Sequence, residues 1–306
     1  MDSNDTPVSI PPQEDLTEVR KPTSLLVAQF FLFPLIIIAL GVGVFVLFGS
    51  IAFDQKSARE YLAEIRSGGG YLFDSRLWQA AYELGNVIAS EKDELLGDSG
   101  FVQDLRNTYI GAKPSAGATA SGNDWQLRMY LAVAMGELGS PEFVPALVEG
   151  LSDGDAQTRI YTLFSLGKIG DGSSAPHIAH MLSDGDAGVR TAAVYVLGVL
   201  GNPSTVNDLK VALNDPAVDV RWNSAMALAR MDDRSGADVL LELTDRNYLA
   251  QFTDMTEENR NRTIIEAVKC LGLLRLERAR GRIVQLSTGD PSTTVRSAAL
   301  AALETF

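Results

Sequence analysis

One cysteine and two histidines in 306 residues leave this chain short of the usual material for disulfides, metal centres and acid–base catalysis. Cys270 has no partner for an internal bridge, and its place beside Leu271 and Leu273 reads as a buried, inert thiol. His177 and His180 stand three apart with Asp184 beyond them, whereas a zinc-type site needs three or four converging ligands. A phosphate loop is missing too, because Gly167-Lys168 lacks both the preceding glycine and the following Ser or Thr. With no nucleophile elbow, a Ser-His-Asp triad has little to draw on. Bases are scarce as well: 26 Lys and Arg against 39 Asp and Glu leave a net charge of −13, the opposite of what nucleic-acid phosphates require. These absences predict no catalytic residues, no cofactor, no metal and no nucleic-acid partner.

What the chain does have is periodicity. An arginine returns every 31 residues at Arg128, Arg159, Arg190 and Arg221. Seven positions later stands Met135, Leu166, Leu197 or Leu228, then Gly136, Gly167, Gly198 or Ala229, and three further on Gly139, Gly170, Gly201 or Asp232. Several columns in register mark a stacked repeat and hence a solenoid. Each period reads as two short helices. Ser140, Asp171, Asn202 and Asp233 supply acceptors for the exposed N–H groups at the start of the first helix, with Pro141 and Pro203 suited to its first position. Val144, Leu147 and Leu151, or Val206, Leu209 and Leu213, form its buried stripe. A polar break such as Ser183-Asp184-Gly185-Asp186 follows, and then a second helix, apolar nearly all round, that begins near the arginine and stops at glycine. The histidines fall at positions occupied elsewhere by Ala146, Asp208, Glu149 and Val211, which reads as a variable outer face.

The run Leu182-x-Asp184-x-x-x-x-Val189-Arg190-x-Ala192-Ala193-x-x-x-Leu197-Gly198-x-Leu200-Gly201 resembles the HEAT-like repeats associated with phycobilisome lyases. The resemblance covers residues 120 to 306 and extends less fully to 55–110, where Arg76, Ala80, Ala81, Leu84 and Gly85 echo the second helix. It implies an all-α, HEAT-like α-solenoid of antiparallel helix pairs. It also implies a structural ladder in which Asp153 goes with Arg159, Asp184 with Arg190, Asp215 with Arg221 and Asp290 with Arg296, each carboxylate meeting helix N-terminal N–H groups and a guanidinium. An iron-binding enzyme family on similar repeats uses His-Glu pairs, and neither histidine here precedes a glutamate.

Residues 25–48, from Leu25 to Phe48, carry no charge, long enough as a helix to cross a bilayer, and they follow an acidic, proline-containing tail over 1–24 expected to be disordered. The expectation is an uncleaved transmembrane helix and a single-pass membrane protein. Arg20 and Lys21 before the span nearly balance Lys56 and Arg59 after it, so the side of the solenoid stays undecided with a slight lean to cytoplasmic. Beyond it come helical hairpins over 54–110 as an N-terminal cap, with Gly68 to Gly70 as a helix stop, a flexible Gly/Ala/Ser-rich loop over 111–123, and the repeats over 124–306.

Arg221 and Arg296 are 75 apart where two periods would need 62, which places an insertion near 246–261. Its Tyr248, Leu249, Phe252 and Met255 are candidates for a partner-binding loop, against the alternative that they pack among themselves. The functional expectation is a non-enzymatic, membrane-anchored protein–protein interaction scaffold or assembly adaptor, bound to a membrane-associated protein and to the membrane through Leu25 to Phe48. The alternative is a bilin-lyase-like enzyme or a pigment or cofactor chaperone built on the same repeats.

Overall fold

The structure, a computed structural model, describes residues 56–68, 75–113 and 122–306, together with Leu40 and Val42. The chain divides into a unit before Lys56 and a unit from Lys56 to Phe306, and the repeats lie in the second. The elements of that second unit are all helical, with no strand among the described residues. In chain order they are α1 (Ala58–Ser67), α2 (Ser75–Leu96), α3 (Ser99–Gly111), α4 (Gly122–Leu138), α5 (Val144–Gly150), α6 (Ala156–Ile169), α7 (Ala175–His180), α8 (Ala187–Leu200), α9 (Val206–Ala212), α10 (Val218–Arg230), α11 (Ala237–Glu242), α12 (Arg246–Leu249), α13 (Glu257–Leu273), α14 (Glu277–Gly289) and α15 (Thr293–Leu303).

Local chemistry sets these boundaries. Ser57 and Glu60 form a reciprocal capping box at α1, and Asp98 caps α3 through the N–H groups of Gly100 and Phe101. In the repeats the column Ser140, Asp171, Asn202 and Asp233 accepts the N–H two residues on, opening a 3-10 turn that leads into the first helix of each pair. Asp155 and Asp186 cap the second helices α6 and α8. Gly139, Gly170 and Gly201 then end the second helices in the left-handed region, at φ 77, 76 and 61°. Asp232 occupies the same slot at φ 58° without glycine's freedom.

The second helices form one continuous layer, α2 on α4, α6, α8, α10, α13 and α15 in turn, and the first helices lie against it. Close approach within that layer explains the glycine column: a Cβ on Gly136 would come within 2.8 Å of the Ser165 Cα, and one on Gly198 within 2.7 Å of the Ala227 Cβ. Leu147, Leu163, Leu166, Ile178, Leu197, Leu209 and Leu228 are fully buried between neighbouring repeats. The core is nevertheless two clusters that meet at α10. Val220, Ala227 and Leu228 belong to the one running back to α1, and Trp222, Ala225 and Ala229 belong to the one running forward to α15.

The expectation of a single-pass membrane protein is corrected by the helices themselves: among the described residues none is long and apolar enough to cross a membrane. Apart from Leu40 and Val42, the stretch from Leu25 to Phe48 on which it rested lies outside the described residues, as do the 1–24 tail and residues 114–121 of the predicted loop. The stretch expected to hold the insertion contains a short helix and the start of a long one. Arg246–Leu249 is a short helix capped by Asp245, and Glu257 already opens α13, so only residues 250–256 lie between helices.

Candidate functional site

Two features distinguish this solenoid: a ladder of arginines threaded through its turns, and a groove across the second-helix layer. In the ladder Arg159 and Arg190 reach both ways. Arg159 Nη1 donates to the carbonyl of Asp153 in its own repeat at 2.8 Å, while its Nε and Nη2 hold both oxygens of Asp184 in the next repeat at 2.9 Å. Arg190 repeats the pattern, with the Asp184 carbonyl at 2.9 Å and the Asp215 carboxylate at 2.8 and 2.9 Å. The carboxylate partner therefore lies 25 residues ahead. The aspartate six residues back, expected from the family resemblance as the partner, contributes only its main-chain oxygen. Each rung ties two repeats together with charge-assisted, bidentate geometry.

The aspartates serve a second purpose as turn caps: Asp184, Asp215 and Asp290 accept the N–H of Asp186, Ala217 and Ser292 at 2.8 to 2.9 Å. Hydrogen bonding from Arg190 holds the Asp215 carboxyl below its ordinary range despite partial burial. At Asp184 and Asp290 burial pushes the other way, but Arg159 and Arg246 with the turn N–H groups outweigh it and both carboxyls are lowered. Asp153 differs. It is buried, takes one bond from Arg128 Nε at 2.5 Å, and leaves its other oxygen unpartnered, so desolvation dominates and its carboxyl is raised. Arg128 there stacks on the Tyr109 ring at 4.1 Å and donates to the Tyr109 carbonyl at 2.6 Å, joining α3 to the repeats. Burial pushes the Tyr109 hydroxyl up to about 12.

Arg128 and Arg246 are ladder residues that sequence reasoning did not place in the ladder. Arg128 sits on the 31-residue column and could have been found by it. Arg246 could not, because it falls where the period calls for an aspartate, yet it grips Asp290 at 2.8 and 2.7 Å and also binds Glu257 and Asn261. Arg221 and Arg296 keep only the carbonyl half of the rung, Arg221 to Asp215 and Pro216 and Arg296 to Asp290 and Pro291.

The groove runs over α6, α8 and the start of α10, with a volume of about 630 Å³. Ala187, Gly188, Ala192 and Ala217 keep its walls low, Ile160 and Thr191 line it, and Asp219 and Asn223 offer polar atoms at the α10 end. Phe164 and Tyr195 form its ridge, edge to face with ring centres 6.0 Å apart. Exposures of 42% and 45% leave their rings available. A smaller hollow bordering the same two rings is lined by Gly167, Lys168, Val196 and the exposed Val199. A second aromatic group, Trp78, Tyr82 and Tyr130, packs across α2 and α4. The groove has no sequence motif, because its members come from three repeats and, Ala192 apart, stand at positions the periodicity treats as variable.

The predicted partner-binding loop is turned inward. Leu249 is fully buried, Tyr248 and Phe252 close around Trp222 with ring centres 5.0 to 6.3 Å apart, and Met255 packs against the same core. His177 and His180 are exposed on α7, and among the described residues no group of three His, Cys, Asp or Glu side chains is placed to hold a metal. Cys270 is buried in α13, which pushes its thiol up to about 11.

A family profile of HEAT repeats matches residues 116–198 and 175–253. Among solved structures, the chain is similar to one in the complex of CpcE and CpcF of phycocyanin lyase from Nostoc sp. PCC7120, at 19% identity and a TM-score of 0.50, over 81% of this chain and 87% of that one. It is similar also to YibA of Escherichia coli, at 15% identity and a TM-score of 0.50, over 80% and 82%. No curated protein matches the sequence significantly. At these identities the likeness concerns the fold. It does overturn the expectation of a non-enzymatic chain, since a fold found in a phycocyanin lyase gives no ground for excluding catalysis.

Proposed function

We propose that this HEAT-like repeat protein handles an open-chain tetrapyrrole or a similarly flat conjugated group, as a bilin-lyase-like subunit or pigment chaperone that acts together with a protein partner. The observation that carries the reading is the groove ridged by Phe164 and Tyr195. Its volume lies within the range of small-molecule sites, its exposed rings suit stacking on a conjugated plane, and Asp219 and Asn223 offer acceptors to pyrrole N–H groups. The fold shared with the phycocyanin lyase complex supports it, as does the fact that CpcE occurs there with a second subunit.

Biliverdin titrated into the protein should shift its own absorbance bands and saturate. Phe164→Ala and Tyr195→Ala should each weaken binding about 2- to 10-fold, the range expected for one aromatic contact. Binding indifferent to both substitutions would remove the groove from the reading. HEAT repeats commonly mediate protein interactions, and Val199 extends the apolar surface past the ridge, so a second reading seats a protein segment there. In that case the same variants lose the protein partner, and biliverdin fails to bind even the wild type.

A further inference from the structure

The repeats provide their own measure of what an arginine at the ladder position is built to hold. At Arg159, Arg190 and Arg246, Nε and Nη2 grip the two oxygens of one carboxylate at 2.7 to 2.9 Å. Arg221 has the first half of this arrangement intact. Its Nη1 donates to the carbonyls of Asp215 at 2.8 Å and Pro216 at 3.0 Å, as Arg190 does to Asp184 and Gly185, so the guanidinium is held in place. The second half is missing because position 246, 31 residues after Asp215, is an arginine that has turned to Asp290. Asp245, one residue short of register, caps Asn247 and lies 3.9 Å from Arg282. Among the described residues no ion pair reaches Arg221, although it is half-buried. A half-buried cation whose Nε and Nη2 have no carboxylate partner among the described residues is a site in want of an anion, and its three siblings specify which one.

We infer that the Arg221 fork binds a carboxylate from outside the chain, seated bidentately on Nε and Nη2 as the ladder aspartates are. The site lies on α10, where the two hydrophobic clusters meet, so an occupant there restores the rung that the sequence omits between them. The carboxylate's source is a small organic acid or an acidic side chain of a partner protein, and the chemistry of capture is the same for both.

The test compares thermal unfolding of the full chain in sodium acetate and in sodium chloride at equal ionic strength. Acetate should raise the wild-type midpoint relative to chloride by about 2–4 °C at a concentration about five times its dissociation constant. Arg221→Gln should abolish that difference, and Arg221→Lys, which keeps the charge and loses the fork, should retain less than half of it. Arg296→Gln alters the other arginine without a carboxylate, but α15 has no further helix packed beyond it among the described residues to help enclose an anion, so this variant should leave the difference unchanged. A difference that survives Arg221→Gln, or that disappears with Arg296→Gln instead, overturns the assignment. An acidic peptide separates the sources: saturation at far lower concentration than acetate assigns the site to a partner's side chain, and saturation at equal carboxylate concentration assigns it to a small acid.

Discussion

Replacing Arg190 with alanine tests the ladder most directly. The substitution removes two bonds to Asp215 at 2.8 and 2.9 Å and one to the Asp184 carbonyl at 2.9 Å, leaving Asp215 with only the Ala217 N–H. Breaking a fully buried ion pair costs about 3–5 kcal/mol, and breaking an exposed one about 0–1. Exposures of 13% for the Arg190 side chain and 9% for Asp215 put this rung nearer the buried limit, so about 2–4 kcal/mol should be lost. For an array of this size that is a fall of roughly 5–15 °C in the unfolding midpoint, read by circular dichroism or urea titration. A double-mutant cycle with Asp215→Asn should give a coupling of about 1–3 kcal/mol. The pH dependence has a definite sign. Because Arg190 lowers the folded Asp215 carboxyl, the rung stabilises fully above the unfolded carboxylate value of about 4 and is lost as pH falls through the lower folded one. Arg190→Ala should therefore lose less stability than wild type on acidification. Arg221→Ala, with no carboxylate to strand, should cost about 1 kcal/mol or less in the absence of added carboxylates. Equal losses at the two positions, or a coupling near zero, would refute the argument.

Three further outcomes rest on the packing. Asp232→Gly should raise stability by about 0.5–1 kcal/mol, since φ 58° strains any residue with a Cβ and the neighbouring repeats use glycine there; a lower midpoint would mean the Asp232 side chain has a role of its own. Gly198→Ala should destabilise by about 1–3 kcal/mol, because the new methyl would lie 2.7 Å from the Ala227 Cβ, and a neutral result in chemical denaturation would show that α8 and α10 separate easily. Tyr248→Ser with Phe252→Ser should melt early by roughly 2–4 kcal/mol while keeping its helical signature, as half-buried core rings require; an unchanged midpoint would return these rings to the status of a projecting loop.

Much of the local architecture was legible in single residues. Ser140, Asp171, Asn202 and Asp233 announce each first helix by their chemistry alone, and Gly139, Gly170 and Gly201 announce the end of each second helix. Such signals are short-range, depending on N–H groups two or three residues away. The pairing of the ladder was not legible, because a turn contains both an aspartate and an arginine and nothing local says that the guanidinium passes over its neighbour's carboxylate to the next one. The break at Arg246 misled in a similar way. It stands where the period calls for an aspartate, and the carboxylate it grips lies 44 residues ahead, outside the 25-residue spacing of the other rungs.

The repeat, its helix pairs, its caps and its buried columns are written in the chain, because periodicity, turn chemistry and side-chain volume act along it or between identical neighbours. Packing in three dimensions chose which aspartate each arginine holds, turned Tyr248 and Phe252 onto Trp222, and gathered Ile160, Phe164, Tyr195 and Asp219 into one groove. Those are contacts between different repeats, set by how one helix layer lies on the next, and a period that treats every repeat alike carries no record of them.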